Sequence, residues 1–271
     1  MSSLARFAAP ILALAVAFAA PSAARAQMDA FRFDGSLVPV GTLYEYMKSN
    51  RDGTHAGPIS LYVLEPDRIE SLKWSPDDTT ATLVAAELDW ARFSVRRFES
   101  WALALGVEPE LRATLEADSA GTGVRLSFQP DVLIPLRDWP WHSYDFDFAS
   151  LGLAMPHLVD PESRFRFQRA DITYDEAGPP FADLGSVEVR FVGYEERSGT
   201  RTRLYELDGA GVRNQPGKLW SAVEGGHLVE FELPFPDEPG FTDVRVVLRS
   251  VSTLSPEGWE EYKRERLRGG R

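Results

Sequence analysis

Residues 138–148, DWPWHSYDFDF, bring three carboxylates, an imidazole and five aromatic rings into eleven positions. Two carboxylates two apart on a strand, Asp145 and Asp147, can share a proton, hold a hard cation or flank a glycosidic bond. Asp138 adds a third acid, and His142 a base or ligand that titrates near neutrality. Trp139 and Trp141 are held apart by Pro140, and rigid indoles of this kind stack on sugar rings or grip acyl chains. Trp139, Trp141, His142, Tyr144 and Phe146 are therefore the candidate ligand-binding residues, with Asp138, Asp145 and Asp147 as a candidate acid cluster. A plainer use fits the same residues. If SYDFDF is a strand, Tyr144, Phe146 and Phe148 share one face and Asp145 and Asp147 the other. The aromatics would then pack a core and the aspartates face water, as Glu230 and Glu232 are expected to do in HLVEFEL.

Elsewhere the chain carries little that does chemistry. His55, His142, His157 and His227 stand far apart, so no paired-histidine metal motif on a helix exists. His55, in a turn, and His227, opening a strand, occupy ordinary places for solvated histidines. There is no G-x-S-x-G elbow, no S-x-x-K set and no phosphate-binding glycine loop. The chain holds 0 Cys, which excludes disulfides, thiolate metal sites and a cysteine nucleophile. No cofactor or metal is expected, and the motifs point away from an enzyme without deciding the matter.

The elements that must position these residues are strands. In SVEVRFVGY, Val187, Val189 and Phe191 oppose Glu188 and Arg190; in HLVEFEL, Val229, Phe231 and Leu233 oppose Glu230 and Glu232; in DVRVVLRS, Val244, Val246 and Leu248 oppose Arg245 and Arg249. Further alternating runs include TLYEYMK, ISLYVL, ATLVAAEL, RFRFQ and TRLYEL, separated by turn signals such as NRDG, EPD and AGPP. Gly225-Gly226 marks a hairpin between KLWSAV and HLVEFEL, because both residues tolerate positive φ. In ARFSVRRFESW the phase slips after Arg97, which predicts a β-bulge there. Pro135 and Pro140 make the entry to the aromatic cluster a loop or edge segment.

At the C-terminus, Ser255 followed by Pro256 and by acids and then bases along EGWEEYKRERLR predicts one short helix. Trp259, Tyr262 and Leu267 form its docking stripe. The expected fold is mainly β: an antiparallel meander forming a curved sheet or open barrel, with that helix on its outside or closing one end.

The first 26 residues stand apart from this pattern. A basic start at Arg6, the apolar run 8–20 and Ala24-Arg25-Ala26 match a secretory signal peptide cut before Gln27. Nothing after it is apolar for long enough to span a bilayer as a helix. Residues 27–271 are expected to form a single β-rich domain, with 175–186 as the place for any subdivision. The net charge is −12, and more negative once the two arginines of the signal segment are removed, a balance that repels nucleic acid and anionic membrane surfaces.

The runs GTLYEYMKSNRDGTH, LYELDGAGV, GKLWSA and GHLVEFELPFPDEPGF resemble uncharacterised secreted β-rich proteins of Gram-negative bacteria. Their layout is similar to half-barrel periplasmic carriers of lipids and lipoproteins. The resemblance implies a periplasmic or secreted binding protein whose ligand, a lipid or other hydrophobic molecule, lies on the concave face of a curved sheet. Two alternatives stand beside it: a carbohydrate-binding or carbohydrate-active protein using the Trp/Asp cluster, and an envelope-assembly partner docking through sheet edges. The direction in which the aromatics and the acids point separates the first two.

Overall fold

A computed structural model describes residues 29–75, 79–118, 123–127, 132–136, 140–173, 178–236 and 238–269. The expected signal segment lies outside them, as do Asp138 and Trp139. The first eight strands are β1 (Thr42–Ser49), β2 (Gly57–Glu65), β3 (Arg68–Trp74), β4 (Thr80–Asp89), β5 (Ser94–Ala104), β6 (Val107–Ala117), β7 (Gly123–Ser127) and β8 (Val132–Pro135). Then come β9 (Trp141–His142), a buried helix α1 (Ala149–Ala154), β10 (Phe165–Ile172), β11 (Phe181–Arg197) and β12 (Thr200–Asp208). The chain ends with β13 (Gly217–Ala222), β14 (Leu228–Leu233), β15 (Val244–Thr253) and the helix α2 (Pro256–Leu267). Among the described residues no helix is long and apolar enough to cross a membrane.

All fifteen strands belong to one sheet, ordered β8-β7-β6-β5-β4-β3-β2-β1-β15-β14-β13-β12-β11-β10-β9. Neighbours are antiparallel except β9 and β10, which run parallel. The chain thus enters at the middle of the sheet, meanders to one edge and crosses to the other edge between Pro135 and Trp141. It then meanders back until β15 pairs with β1. This connectivity dictates curvature. Fourteen strand spacings would separate the edges of a flat sheet by about 67 Å, whereas the six steps from Pro135 to Trp141 reach at most about 20 Å. The sheet must curl until its edges approach each other, giving the open, barrel-like shape expected from the meander.

Bulges supply part of the bend. In β5, Glu87 pairs with Arg97 and Leu88 with Val95, which leaves Arg96 as the extra residue, where the slipped phase predicted one. In β14, Trp220 pairs with Glu230 and Ser221 with Leu228, so Val229 is extra. Phe231 and Leu233 face the concave core as expected, but Val229 does not share their face. It packs outside with Trp220 and Ala222. The bulge lies in β14 itself and shifts the phase of that strand at Val229, so the strict alternation of its sequence is not kept. The Gly225-Gly226 hairpin forms as expected, with φ of 75° and 67°.

The concave face holds the main apolar core. Tyr44 and Tyr46 of β1, Ile59, Leu61 and Val63 of β2, and Val187 and Val189 of β11 all point into it, as do Val244 and Val246 of β15. One end is plugged by aromatic rings. Phe31 stacks on Phe93 at 4.9 Å, and Phe33 on Trp90 at 5.1 Å. The convex face carries a smaller cluster of Leu43, Tyr62, Leu72 and Leu83, covered by Trp259 of α2. That helix starts as its sequence predicts: Gly258 N–H donates to the Ser255 hydroxyl at 3.1 Å, with Pro256 in the first turn.

Candidate functional site

The segment SYDFDF is not a strand. β9 stops at His142, and the chain then turns: Asp147 N–H donates to Tyr144 O at 2.8 Å and Phe148 N–H to Ser143 O at 3.1 Å. Side chains displace the expected ladder. The Asp171 carboxylate accepts from the Ser143 hydroxyl at 2.5 Å and from Asp145 N–H at 2.9 Å, while the Ser143 oxygen accepts from Phe146 N–H at 3.2 Å. Such local side-chain bonds offer the backbone an alternative to sheet pairing. Asp171 is itself held by the buried Arg169, whose guanidinium also donates to Gly211 O at 2.9 Å and lies over the Tyr144 ring.

The turn wraps Tyr144, Phe146 and Phe148 into the concave core, so all three bury as alternation would have placed them, by another route. The aspartates do not share a solvated face. Asp145 is half-buried, and Asp147 is buried. Asp147 and Phe148 both adopt left-handed backbone, φ 52° and 51°, immediately before α1, a conformation that costs energy for residues other than glycine.

The other expected site residues pack tightly. Trp141 is fully buried and lies edge-on to Phe181 at 6.0 Å. The His142 ring shares a hydrogen bond with Ser150 through Nδ1 at 2.8 Å and meets Phe167 edge-on at 5.2 Å. Burial pushes its pKa down to about 3. The Tyr144 hydroxyl donates to Phe235 O at 3.1 Å, and Phe146 stacks on Phe98 at 6.0 Å. None of these four lines the cavities described next; of the candidate acids within the described residues, only Asp147 does.

α1 fills the concave face with six apolar or small residues, all buried. Between it and strands β1–β3 remains a small cavity of about 20 Å³, the room for roughly one water. Tyr44, Tyr46, Ile59, Leu61, Gly152 and Leu153 form much of its apolar wall, and Asp147, Ser71 and His227 bring polar groups to it. Burial raises the Tyr44 pKa to about 12 and lowers that of His227. The Tyr46 hydroxyl is bonded to Leu228 O at 3.0 Å.

Past Ile59, which borders both spaces, a cleft of about 650 Å³ opens at the end of the sheet away from the aromatic plug. That volume lies within the range of small-molecule sites. Its walls are the ends of β1, β3 and β5, the starts of β2, β4 and β6, and the loop carrying Glu238 and Phe241. Small side chains, Thr82 and Ala102, face each other across β4 and β5 there.

Two lysines stand where cavity and cleft meet. Lys73 Nζ lies 2.9 Å from Asp147 Oδ2 and donates to Asp145 O at 2.9 Å. Lys48 Nζ lies 3.6 Å from Asp147 Oδ1 and 2.7 Å from Glu238 Oε1, and sits 5.0 Å from the centre of the Phe241 ring. Burial by itself would raise the Glu238 pKa, but Lys48 and Lys73 outweigh it and hold the carboxyl below its ordinary value. Sequence reasoning missed both lysines and Glu238. The signal for the lysines was present: Lys48 continues the inward register of Tyr44 and Tyr46, and Lys73 that of Ile69 and Ser71. A basic residue in a core register needs a buried partner.

Among the described residues, no group of three or more His, Asp or Glu side chains is placed to hold a metal ion. No protein-family profile matches the chain, and no curated protein matches it in sequence. Several solved structures are similar. A β-barrel-like protein of the domain of unknown function DUF1849 from Brucella abortus matches at 12% identity, covering 79% of this chain and 97% of that one, with a TM-score of 0.39. A putative outer membrane lipoprotein-sorting protein domain from Vibrio parahaemolyticus matches at 9% identity, with coverages of 82% and 89% and a TM-score of 0.29. A LolA superfamily protein from Nitrosomonas europaea matches at 10% identity, with coverages of 86% and 94% and a TM-score of 0.25.

Proposed function

We propose that this chain is an exported, periplasmic binding or carrier protein for a hydrophobic ligand such as an acyl chain or lipid, held against the concave face of its sheet. The observation that carries this reading is the asymmetry of the concave face. One end is closed by aromatic stacking, while the other opens as a cleft that runs past Ile59 to an apolar-walled cavity. The cover over that cavity is light. α1 has six residues, no side-chain cap at its start and only small or apolar side chains, so no ion pair of its own side chains anchors it. An acyl chain entering from the cleft would take the place of Leu153 and its neighbours against β1–β3. Each buried methylene contributes about 0.8 kcal/mol, so ten supply about 8 kcal/mol, enough to offset some displacement of the helix. Removal of residues 1–26 and folding of 27–271 as one domain belong to the same proposal.

Native mass spectrometry of the mature protein, purified from the periplasm of an expressing Gram-negative host and then solvent-extracted, tests it. An added mass that extracts as a lipid is the expected result. An apo mass that persists after incubation with envelope lipids would overturn the reading.

A further inference from the structure

We infer that Lys73 and Lys48 form the head-group site of that cavity, and that it takes single-chain amphiphiles with an anionic head, a carboxylate or a phosphate. The inference rests on the carrier reading above and adds the ligand's charge. Three observations carry it. First, the lysines stand at the junction: both line the cleft, whereas their partner Asp147 lines the inner cavity. A tail lying in the cavity therefore leaves its head beside the two ammonium groups. Second, Asp147 holds this position poorly. It is buried and pairs with Lys73 at 2.9 Å and Lys48 at 3.6 Å, yet among the described residues neither of its carboxylate oxygens has a well-directed hydrogen bond. It also sits in left-handed backbone. A carboxylate with better-directed bonds gains where this one is weak, since buried charged groups need hydrogen bonds as well as pairing.

Third, the exchange keeps the local charge for a carboxylate head and changes it by at most about one for a phosphate. An incoming anion takes the place of the Asp147 carboxylate on the lysines, and Asp147, close before α1, swings out with the helix it precedes. The acidic surface of the protein is thus little obstacle, because a carboxylate head adds no negative charge beside the lysines and a phosphate head at most about one. Glu238 stays on Lys48 at 2.7 Å and fixes that ammonium in place. The acid is a fixed counter-charge, and Lys73, further from Glu238's hydrogen bond, reads the incoming head.

Isothermal titration calorimetry on the full mature protein tests this with five probes held below their micellar concentrations: dodecanoate, dodecyl phosphate, dodecyltrimethylammonium, dodecyl maltoside and inorganic phosphate. Dodecanoate and dodecyl phosphate are expected to bind at least about tenfold tighter than the other three, the scale of one hydrogen-bonded charge. Lys73→Met is expected to remove that preference and leave dodecyl maltoside unchanged; Asp147→Asn is expected to tighten both anions. Thermal melts of the two variants, and their affinity for the maltoside, report whether each still folds around the cavity. Equal affinity for all four dodecyl probes would overturn the head-group site and leave the carrier reading standing. Inorganic phosphate binding as tightly as dodecyl phosphate would mark a free-anion site and overturn the amphiphile. Binding of none of the five would overturn both readings.

Discussion

Trp259 Nε1 donates to Glu70 Oε2 at 2.7 Å, tying the C-terminal helix to the convex face of β3 through a hydrogen bond between two buried side chains. The same Glu70 oxygen accepts from Lys263 Nζ at 2.9 Å. The indole stacks with Tyr62 at 5.1 Å and with Tyr262 at 5.3 Å. α2 is therefore an integral wall of the outer cluster, and its anchor combines apolar burial with one shared carboxylate.

Removing that carboxylate leaves the buried indole N–H without its acceptor and leaves Lys263 paired with Glu260 alone, at 2.8 Å. Glu70→Ala is expected to destabilise the fold by about 2–4 kcal/mol, and Glu70→Gln, which keeps an acceptor oxygen, by clearly less. Urea denaturation of the two variants measures this. Equal losses would mean that the hydrogen bonds contribute nothing beyond packing.

Two buried tryptophans differ in one respect. Trp259 has a partner for its N–H, whereas among the described residues Trp141 Nε1 has none. Replacement by Phe removes similar volume at both sites, but only at 259 does it also break a hydrogen bond, leaving Glu70 with Lys263 alone. Trp259→Phe is expected to cost about 1–2 kcal/mol more than Trp141→Phe, read from urea midpoints. A larger loss at 141 would show that its indole is bonded after all.

Gly53 and Gly226 both have positive φ, 87° and 67°, in turns. A Cβ at 53 would meet open space, while one at 226 would lie 2.9 Å from the Pro156 backbone. Gly53→Ala therefore carries only the left-handed penalty, about 1 kcal/mol. Gly226→Ala adds a clash with the segment following α1 and is expected to cost at least twice as much. Thermal unfolding of the pair separates strain from sterics.

His142 gives the protein an acid-sensitive core. Its folded pKa is depressed to about 3 from an ordinary 6.5 because burial disfavours the imidazolium, and its neighbours Ser150 and Phe167 are uncharged. Between those values the unfolded chain binds the extra proton. The contribution is therefore complete above pH 6.5 and lost progressively as pH falls toward 3, by up to about 1.4 kcal/mol per pH unit. His157 and His227 are shifted in the same direction by burial and add to the slope. In His142→Gln, stability measured from pH 7 to pH 4 is expected to fall less steeply, by nearly one proton. An unchanged slope would mean that His142 is protonated in the folded state.

Much of the fold was legible because its signals are local. Alternation in β11 and β15 named the inward residues, Ser255 and Pro256 fixed where α2 begins, and the slipped phase in β5 located its bulge to within a residue. Each depends on a residue's own backbone and its immediate neighbours. The sequence missed wherever a distant partner decided the outcome. Val229 left its face because of how β14 pairs with β13. The segment SYDFDF alternates as a strand does, yet Asp171, far along the chain, captured Ser143 and Asp145 and turned it. The candidate site was legible only through Asp147; Lys48, Lys73 and Glu238 went unread.

What the sequence by itself determined is the strand-by-strand composition of a meander with one apolar face, because side-chain alternation is a property of each strand. Only the tertiary structure decided how that meander closes. The order of the strands brings β8 and β9 to opposite edges while six residue steps join them, so the sheet curls and sets Lys48, Lys73, Asp147 and Glu238 side by side. Four charges spread over the chain become one cluster because pairing and curvature, which act over long separations, put them at the same end of the sheet.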